Sequence, residues 1–123
     1  MKTALVLLAM ISTLGIAQGS EERVAVQLVD DRFVPDELVF RHSVEYRLEL
    51  RNDGKEMHEF TAPEFLKAVE VRNPEVLERA APEVLLQPGE RKELRFVARQ
   101  PGRYRLTCAD HDWDGMVGEI LVE

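Results

Sequence analysis

The sequence is poor in residues that cross-link a chain or bind metals, with one cysteine and three histidines among 123 residues. A lone cysteine cannot form an internal disulfide, and it argues against structural zinc, whose sites usually contain two or more cysteines. There is no excess of positive charge, since the formal net charge is −7, and this disfavours nucleic acid as a partner. Internal repeats and low-complexity segments are also absent from the sequence.

Long apolar runs are scarce as well, and the longest one lies near the N-terminus. Lys2 precedes an apolar run from Ala4 to Ile16 that ends in small residues at Gly15-Ile16-Ala17. The run is shorter than the ~20 apolar residues of a membrane-spanning helix, so we predict a signal peptide over residues 1–17. We therefore expect an exported, periplasmic protein without stable membrane insertion after cleavage; the alternative is a leader retained as an anchor.

Residues 21–123 form one predicted domain and carry the alternation typical of β-strands. From Val44 to Arg51, apolar and charged residues alternate without exception, which predicts one buried and one wet face. Similar segments recur between turn signals spaced roughly ten residues apart, and Pro35 places the start of the second one at a sheet edge or bulge. Seven or eight short strands of this kind predict an all-β, two-sheet antiparallel sandwich.

The β pattern is interrupted between Pro63 and Pro82. Phe65, Leu66 and Val69 have helical spacing, and residues 74–80 begin with a proline, which suits the first turn of a helix. We predict a short helical insertion around residues 63–82.

Most residues with metal-binding chemistry lie in one stretch, Cys108-Ala109-Asp110-His111-Asp112-Trp113-Asp114-Gly115-Met116. It offers a thiol, an imidazole and a thioether, which are soft and borderline ligands that suit copper. His58, far upstream, would complete a set of two imidazoles, one thiolate and a weak axial thioether. A cysteine bound to metal would also not remain a free thiol in an oxidising compartment.

This pattern, His58 followed by Cys108-x₂-His111-x₄-Met116, resembles that of the cupredoxins, the small blue-copper proteins. The spacing of its last three positions is similar to that in plastocyanin and pseudoazurin. The resemblance extends to four shorter motifs: Phe33-Val34-Pro35, Asn52-Asp53-Gly54, Leu86-Gln87-Pro88-Gly89 and Pro101-Gly102-Arg103-Tyr104. It implies a Greek-key sandwich and one copper ion, Cu(II) or Cu(I), bound by His58, Cys108, His111 and Met116.

Each of these residues also has a plainer interpretation. His58 alone suits a core histidine, Met116 suits core packing, and Cys108 suits a buried, inert thiol. Their joint placement favours copper. His42 lies in a polar turn, and we expect it to be solvated.

Other chemistries fit less well. The Asp110-x-Asp112-x-Asp114-Gly115 pattern opens like a calcium-binding EF-hand loop, but Leu121 stands where that loop needs Glu, and no helices flank it. Nucleophilic catalysis by Cys108 lacks an orienting third group, so we do not expect an enzyme. An adhesive or interaction sandwich would leave the metal-binding pattern unexplained.

Two features depart from the family pattern. Glu59 stands where relatives commonly carry Asn; it either faces the copper site in the loop of residues 108–116 and lowers the copper potential, or lies in solvent on the wet face of its strand. The loop also carries three aspartates and Trp113 in place of a neutral, apolar rim. Such a rim would suit a basic redox partner docking near His111 and Trp113; the alternative is a tryptophan that shields the metal.

The expected function is that of a soluble, monomeric one-electron carrier between redox partner proteins. The alternative is a periplasmic copper-binding or delivery protein. A complete set of one cysteine, two histidines and one methionine favours the carrier, because delivery proteins gain from open or methionine-rich sites, and the chain has four methionines including Met1.

Overall fold

The computed structural model describes residues 21–123, so the predicted signal peptide at residues 1–17 lies outside the described residues. This part of the chain contains ten strands and one α-helix, α1 (Pro63–Ala68). The strands are β1 Glu22–Val29, β2 Arg32–Val34, β3 Glu37–Phe40, β4 Glu45–Asn52, β5 His58–Thr61, β6 Val69–Val71, β7 Glu83–Leu86, β8 Arg91–Ala98, β9 Gly102–Thr107 and β10 Val117–Val122. Within these residues, the one α-helix is too short and too polar to span a membrane.

The strands form two five-stranded sheets, which confirms the predicted two-sheet sandwich, with ten strands where seven or eight were predicted. The first sheet has the order β2-β1-β4-β8-β6 and the second has the order β3-β10-β9-β5-β7. Two pairs are parallel, β1 with β4 and β3 with β10, whereas the other described pairs are antiparallel. Side chains alternate in the same way in both arrangements, so the sequence pattern did not distinguish them.

The alternation in β4 shows how the core forms. Tyr46, Leu48 and Leu50 are buried, while the intervening residues are partly exposed. An aromatic cluster of Phe40 from one sheet and Phe96 from the other brings the two sheets together, with ring centroids 5.0 Å apart and edge to face. Each fully buried side chain of this size contributes on the order of 1.5–3 kcal/mol.

Pro35 lies between two edge strands. β2 ends one sheet and β3 ends the other, so the chain crosses between the sheets at this proline. This confirms the edge position predicted for Pro35, since a proline cannot donate a ladder hydrogen bond.

The helical insertion is confirmed in its first part. α1 begins at Pro63 and buries Phe65 and Leu66. Val69 does not continue the helix but starts β6, which pairs with β8 at the edge of the first sheet.

The helix predicted over residues 74–80 was wrong. Pro74–Val76 form a single 3₁₀ turn, and Leu77 is already extended, with φ −82° and ψ 142°. The turn contains no buried residue. Short helices depend on packing for their stability, so propensity alone was a poor guide at this position.

The second sheet brings the candidate ligands to one end of the sandwich. β9 pairs with both β5 and β10. β9 ends just before Cys108, β10 begins just after Met116, and β5 begins at His58. The loop of residues 108–116, hereafter the ligand loop, therefore joins β9 to β10.

Candidate metal centre

The structure brings together three of the predicted ligands, His58, Cys108 and His111. Their potential ligand atoms all lie within 4.8 Å of one another. Nδ1 of His58 is 3.8 Å from the Cys108 Sγ, and Nδ1 of His111 is 3.7 Å from it. His58 and Cys108 are fully buried, whereas the His111 side chain is 13% exposed. His111 is therefore the one of the three that reaches the surface.

Backbone hydrogen bonds fold the ligand loop onto itself. The N–H of His111 donates to the carbonyl of Cys108, the N–H of Met116 to that of His111, and the N–H of Cys108 to that of Met116. These N···O distances are 3.0, 3.2 and 3.1 Å. Gly115 ends a 3₁₀ turn at φ 86°, a left-handed conformation that glycine adopts without steric cost. The loop thus ties the backbones of three candidate ligands together.

Met116 has a fully buried side chain at the end of this loop. Its backbone bonds to Cys108 and His111 place the thioether in the same part of the molecule as the other candidate ligands. Its role as the axial ligand stays a prediction.

His42 lies elsewhere, as expected. Its Nδ1 is 2.7 Å from the carbonyl of Glu123, in an exposed position. Glu123 follows β10, whereas the ligand loop precedes that strand, so a whole strand separates His42 from the three grouped residues.

Glu59 faces the ligand loop. Its side chain is buried, with only 3% exposure, and its Oε2 accepts a hydrogen bond from the N–H of Asp110 at 3.0 Å. The same oxygen lies 3.6 Å from the Cys108 Sγ. The ligand loop covers the face that strand alternation had left to solvent, so His58 and Glu59 are both buried although they are adjacent on β5.

The cysteine sulfur has a backbone partner in the N–H of Glu59, 3.3 Å away. Burial raises the pKa of the Cys108 thiol, and the hydrogen bond from this N–H opposes the rise; the resulting pKa is about 11. Burial also raises the pKa of Glu59, against the opposing hydrogen bond from the Asp110 N–H. The thiol is therefore protonated in the metal-free protein at neutral pH, and a metal ion that binds here must displace its proton.

Each of the two grouped histidines has a carboxylate at its outer nitrogen. Nε2 of His58 lies 3.1 Å from Oδ1 of Asp30, and Nε2 of His111 lies 2.7 Å from Oε2 of Glu56. A carboxylate accepts hydrogen bonds, so in a neutral ring the proton resides on Nε2 and the lone pair on Nδ1. Both Nδ1 atoms are the ones near the sulfur, which is the arrangement that metal binding requires.

Sequence reasoning missed Asp30 and Glu56. Asp30 lies in the turn between β1 and β2, and Glu56 lies two positions before His58. Neither position belongs to a motif of fixed spacing, so nothing in the sequence distinguished these acids from other surface acids.

The three grouped residues suit copper. Two imidazole nitrogens and a thiolate form the trigonal set of a blue-copper site, to which a thioether adds a long, weak axial bond. Structural zinc sites take four strong nitrogen, sulfur or oxygen ligands, which is more than this group provides.

The rim of the site is acidic and carries one large exposed aromatic residue. Trp113 is 79% exposed, and its Nε1 donates a hydrogen bond to the Asp110 carbonyl at 3.1 Å. Asp112 and Asp114 flank it and are also exposed. With this exposure, Trp113 contacts solvent rather than sealing the site.

Comparison with known protein families agrees with the fold. The profile of the family described as Cupredoxin-like domain matches residues 2–122. The chain belongs to this cupredoxin-like family. A search of curated protein sequences found no match.

Several solved structures share the fold at low sequence identity. Auracyanin B matches with a TM-score of 0.62 and 20% identity, over 83% of this chain and 88% of the auracyanin. Dithionite-reduced auracyanin from the photosynthetic bacterium Roseiflexus castenholzii matches with a TM-score of 0.63 and 16% identity, over 85% of this chain and 99% of that auracyanin. A multicopper oxidase from Campylobacter jejuni matches with a TM-score of 0.63 and 15% identity, over 83% of this chain and 30% of the oxidase. At these identities, the likeness establishes the fold alone.

Proposed function

We propose that the protein is a type 1 copper protein that carries single electrons between redox partner proteins. The observation that carries the proposal is the grouping of His58, Cys108 and His111 within 4.8 Å on a cupredoxin-like sandwich. Two imidazoles and a thiolate suit both Cu(II) and Cu(I), and Met116 would tune the potential as a weak axial ligand.

The chain supports this role by holding its side chains in place. His58 lies on β5, and the ligand loop is closed by its own backbone hydrogen bonds. Rigid elements hold a site more precisely than flexible ones do. Ligands that barely move between the two oxidation states keep the reorganisation on electron transfer small, which makes the transfer fast.

Burial favours the carrier over the copper-delivery alternative. His58 and Cys108 have no exposed surface, and the methionine of the ligand loop is buried as well. Delivery requires that an acceptor reach the ion, whereas electron transfer requires only that one ligand edge, here His111, approach the surface.

Likeness to the multicopper oxidase does not extend the proposal to catalysis. The shared region is 30% of that protein, so the match describes one domain of a larger chain. We propose a carrier without enzymatic activity of its own.

We also propose that the protein is exported to the periplasm and acts there as a monomer. The support is the apolar leader read from the sequence, together with a lone cysteine that copper would occupy in an oxidising compartment. Cell fractionation with an antibody to the mature chain, alongside N-terminal sequencing, tests export and cleavage.

The partner that we propose is a redox protein with a basic surface, docking over His111 and Trp113. Exposed aromatics are frequent anchors of binding, and complementary charge accelerates encounter. The exposed Trp113 between Asp112 and Asp114 offers both features.

Titration of the metal-free protein with Cu(II), followed in the visible spectrum, tests the copper function. We expect one equivalent to produce an intense thiolate-to-copper charge-transfer band that disappears on reduction. Cys108→Ser should abolish the band. A colourless complex of the wild type would refute the type 1 assignment.

Repeated redox cycling in the presence of a copper chelator separates the carrier from the delivery protein. A carrier keeps its copper and its colour over many cycles. Loss of copper to the chelator on reduction would favour delivery.

A further inference from the structure

We propose that Asp30 and Glu56 are positioning residues of the copper site, each holding one ligand imidazole by its outer nitrogen and favouring Cu(II) over Cu(I). The proposal rests on the proposed copper function. Its basis is the pair of contacts described above, from Asp30 to the His58 Nε2 at 3.1 Å and from Glu56 to the His111 Nε2 at 2.7 Å.

The contact between Asp30 and His58 has a defined geometry. His58 is fully buried, so its Nε2–H depends on a protein acceptor, and the Asp30 carboxylate supplies one. The N–H of Lys55 donates to both carboxylate oxygens, at 3.0 and 3.2 Å, and fixes their orientation. The carboxylate thus accepts hydrogen bonds from both the His58 ring and the Lys55 backbone.

Gly54 provides the space for this contact. A Cβ atom at position 54 would overlap the Asp30 Oδ1 and would lie 2.8 Å from the His58 Nε2. A side chain at this position would therefore push the carboxylate and the ring apart. Because Gly54 has no side chain, its backbone can lie close to the hydrogen bond between Asp30 and His58.

Asn52 fixes the turn of residues 52–56 from inside the sandwich. It is fully buried, and its Nδ2 donates to the carbonyls of Glu56 and Leu86 at 2.8 and 2.9 Å. Its Oδ1 accepts from the N–H of Gly54 at 2.9 Å. One turn thus presents the Lys55 N–H to Asp30 and the Glu56 side chain to His111, so a single element positions both carboxylates.

Both carboxylates should act on the copper site in the same direction. A carboxylate at the outer N–H of an imidazole makes the other nitrogen a better metal ligand. A nearby negative charge also stabilises the more highly charged Cu(II) more than Cu(I). The Glu56 side chain is 65% exposed and that of Asp30 is 41% exposed, so solvent screens the charge of Glu56 more strongly.

The test compares Asp30→Asn and Glu56→Gln with a control in the same turn, Asp53→Asn. The first two variants keep the shape and an acceptor oxygen but remove the charge. Asp53 pairs with Arg51 at 2.7 Å and has no hydrogen bond to either histidine, so its variant controls for the loss of one negative charge nearby. Dissociation constants for Cu(II) and for Cu(I) are measured separately by competition with chelators of known affinity.

We expect Asp30→Asn to weaken Cu(II) binding about 10- to 100-fold, with a smaller loss for Cu(I). Glu56→Gln should act in the same direction with a smaller change, and Asp53→Asn should leave both constants unchanged. Equal loss of Cu(II) and Cu(I) affinity in Asp30→Asn, or constants that match those of Asp53→Asn, would overturn the proposal.

A second measurement needs no copper. Imidazole ¹⁵N spectra of the metal-free protein should show His58 with its proton on Nε2, and Asp30→Ala should move part of the population to Nδ1. Finding the proton on Nδ1 in the wild type would overturn the proposal. Failure of the copper function itself would appear differently, as a wild-type protein without the visible band.

Discussion

The backbone N–H of Glu59 donates a hydrogen bond to the sulfur of Cys108 over 3.3 Å, which ties β5 directly to the ligand loop. This bond strengthens when the sulfur is a thiolate, because hydrogen bonds to charged acceptors are shorter and stronger. Metal binding at Cys108, which removes the thiol proton, would therefore be coupled to the packing of β5 against the loop.

The raised thiol pKa predicts a pH dependence of stability in the metal-free protein. A pKa of about 11 means that the folded state favours the neutral thiol, whose ordinary pKa is 9.0. The buried neutral thiol therefore stabilises the folded state fully below pH 9, and this stabilisation is lost as the pH rises through about 11. Urea unfolding of wild type and Cys108→Ser between pH 8 and 11 measures it, and parallel curves for the two proteins would contradict the prediction.

Glu59→Gln should raise the reduction potential of the copper protein. The Glu59 Oε2 lies 3.6 Å from the Cys108 Sγ in a buried position, so the ionised carboxylate would stabilise Cu(II) with little screening by solvent. Protein film voltammetry at neutral pH provides the measurement. Glu37→Gln removes an exposed acid from an edge strand and serves as the matched control. A potential that shifts no more than in the control would show that the Glu59 charge does not reach the metal.

Met116→Leu should keep a coloured copper site but change its potential. An axial thioether tunes the metal without being essential for binding, and leucine has a similar volume, so the fold should tolerate it at a cost below about 1.5 kcal/mol. Visible spectra and voltammetry test both parts. His42→Ala should leave both readouts unchanged, and loss of colour in Met116→Leu would mean that the thioether is a principal ligand.

Trp113→Ala should slow electron transfer to a basic cytochrome c while leaving the visible spectrum intact. Stopped-flow rates should also fall as salt is added, because screening weakens the attraction between the acidic rim and a basic partner. Asp112→Asn with Asp114→Asn should reduce the salt dependence while Trp113 remains in place. If the rates change neither with Trp113→Ala nor with added salt, the docking surface lies elsewhere on the protein.

The sequence predicted the sandwich and the pairing of Cys108 with His111 because both depend on local patterns. Strand alternation follows from the pleat, and the spacing within the ligand loop follows from a hairpin between β9 and β10. His58 was chosen as the second imidazole that the ligand set needs, in agreement with the family resemblance, and pairing of β5 with β9 brings it to the loop.

Features that depend on tertiary contacts were missed. Strand direction, the extra edge strand β6 and the extended conformation of Leu77 leave no distinct periodicity in a single sequence. The orientation of Glu59 was not missed but left open between two alternatives, and the loop that covers its strand decides between them. The contacts of Asp30 and Glu56 arise because a distant turn and a glycine bring the groups together, which spacing along the chain does not encode.

Asn52 gives the site a mechanical connection to the whole sandwich. It belongs to β4 in the first sheet, and its amide holds the Leu86 carbonyl of β7 in the second sheet. The two sheets cannot separate at this end without breaking that bond, and the same amide fixes the turn beside both histidines. Pressure or mild heating that deforms the β-sandwich should therefore also change the geometry of the copper site.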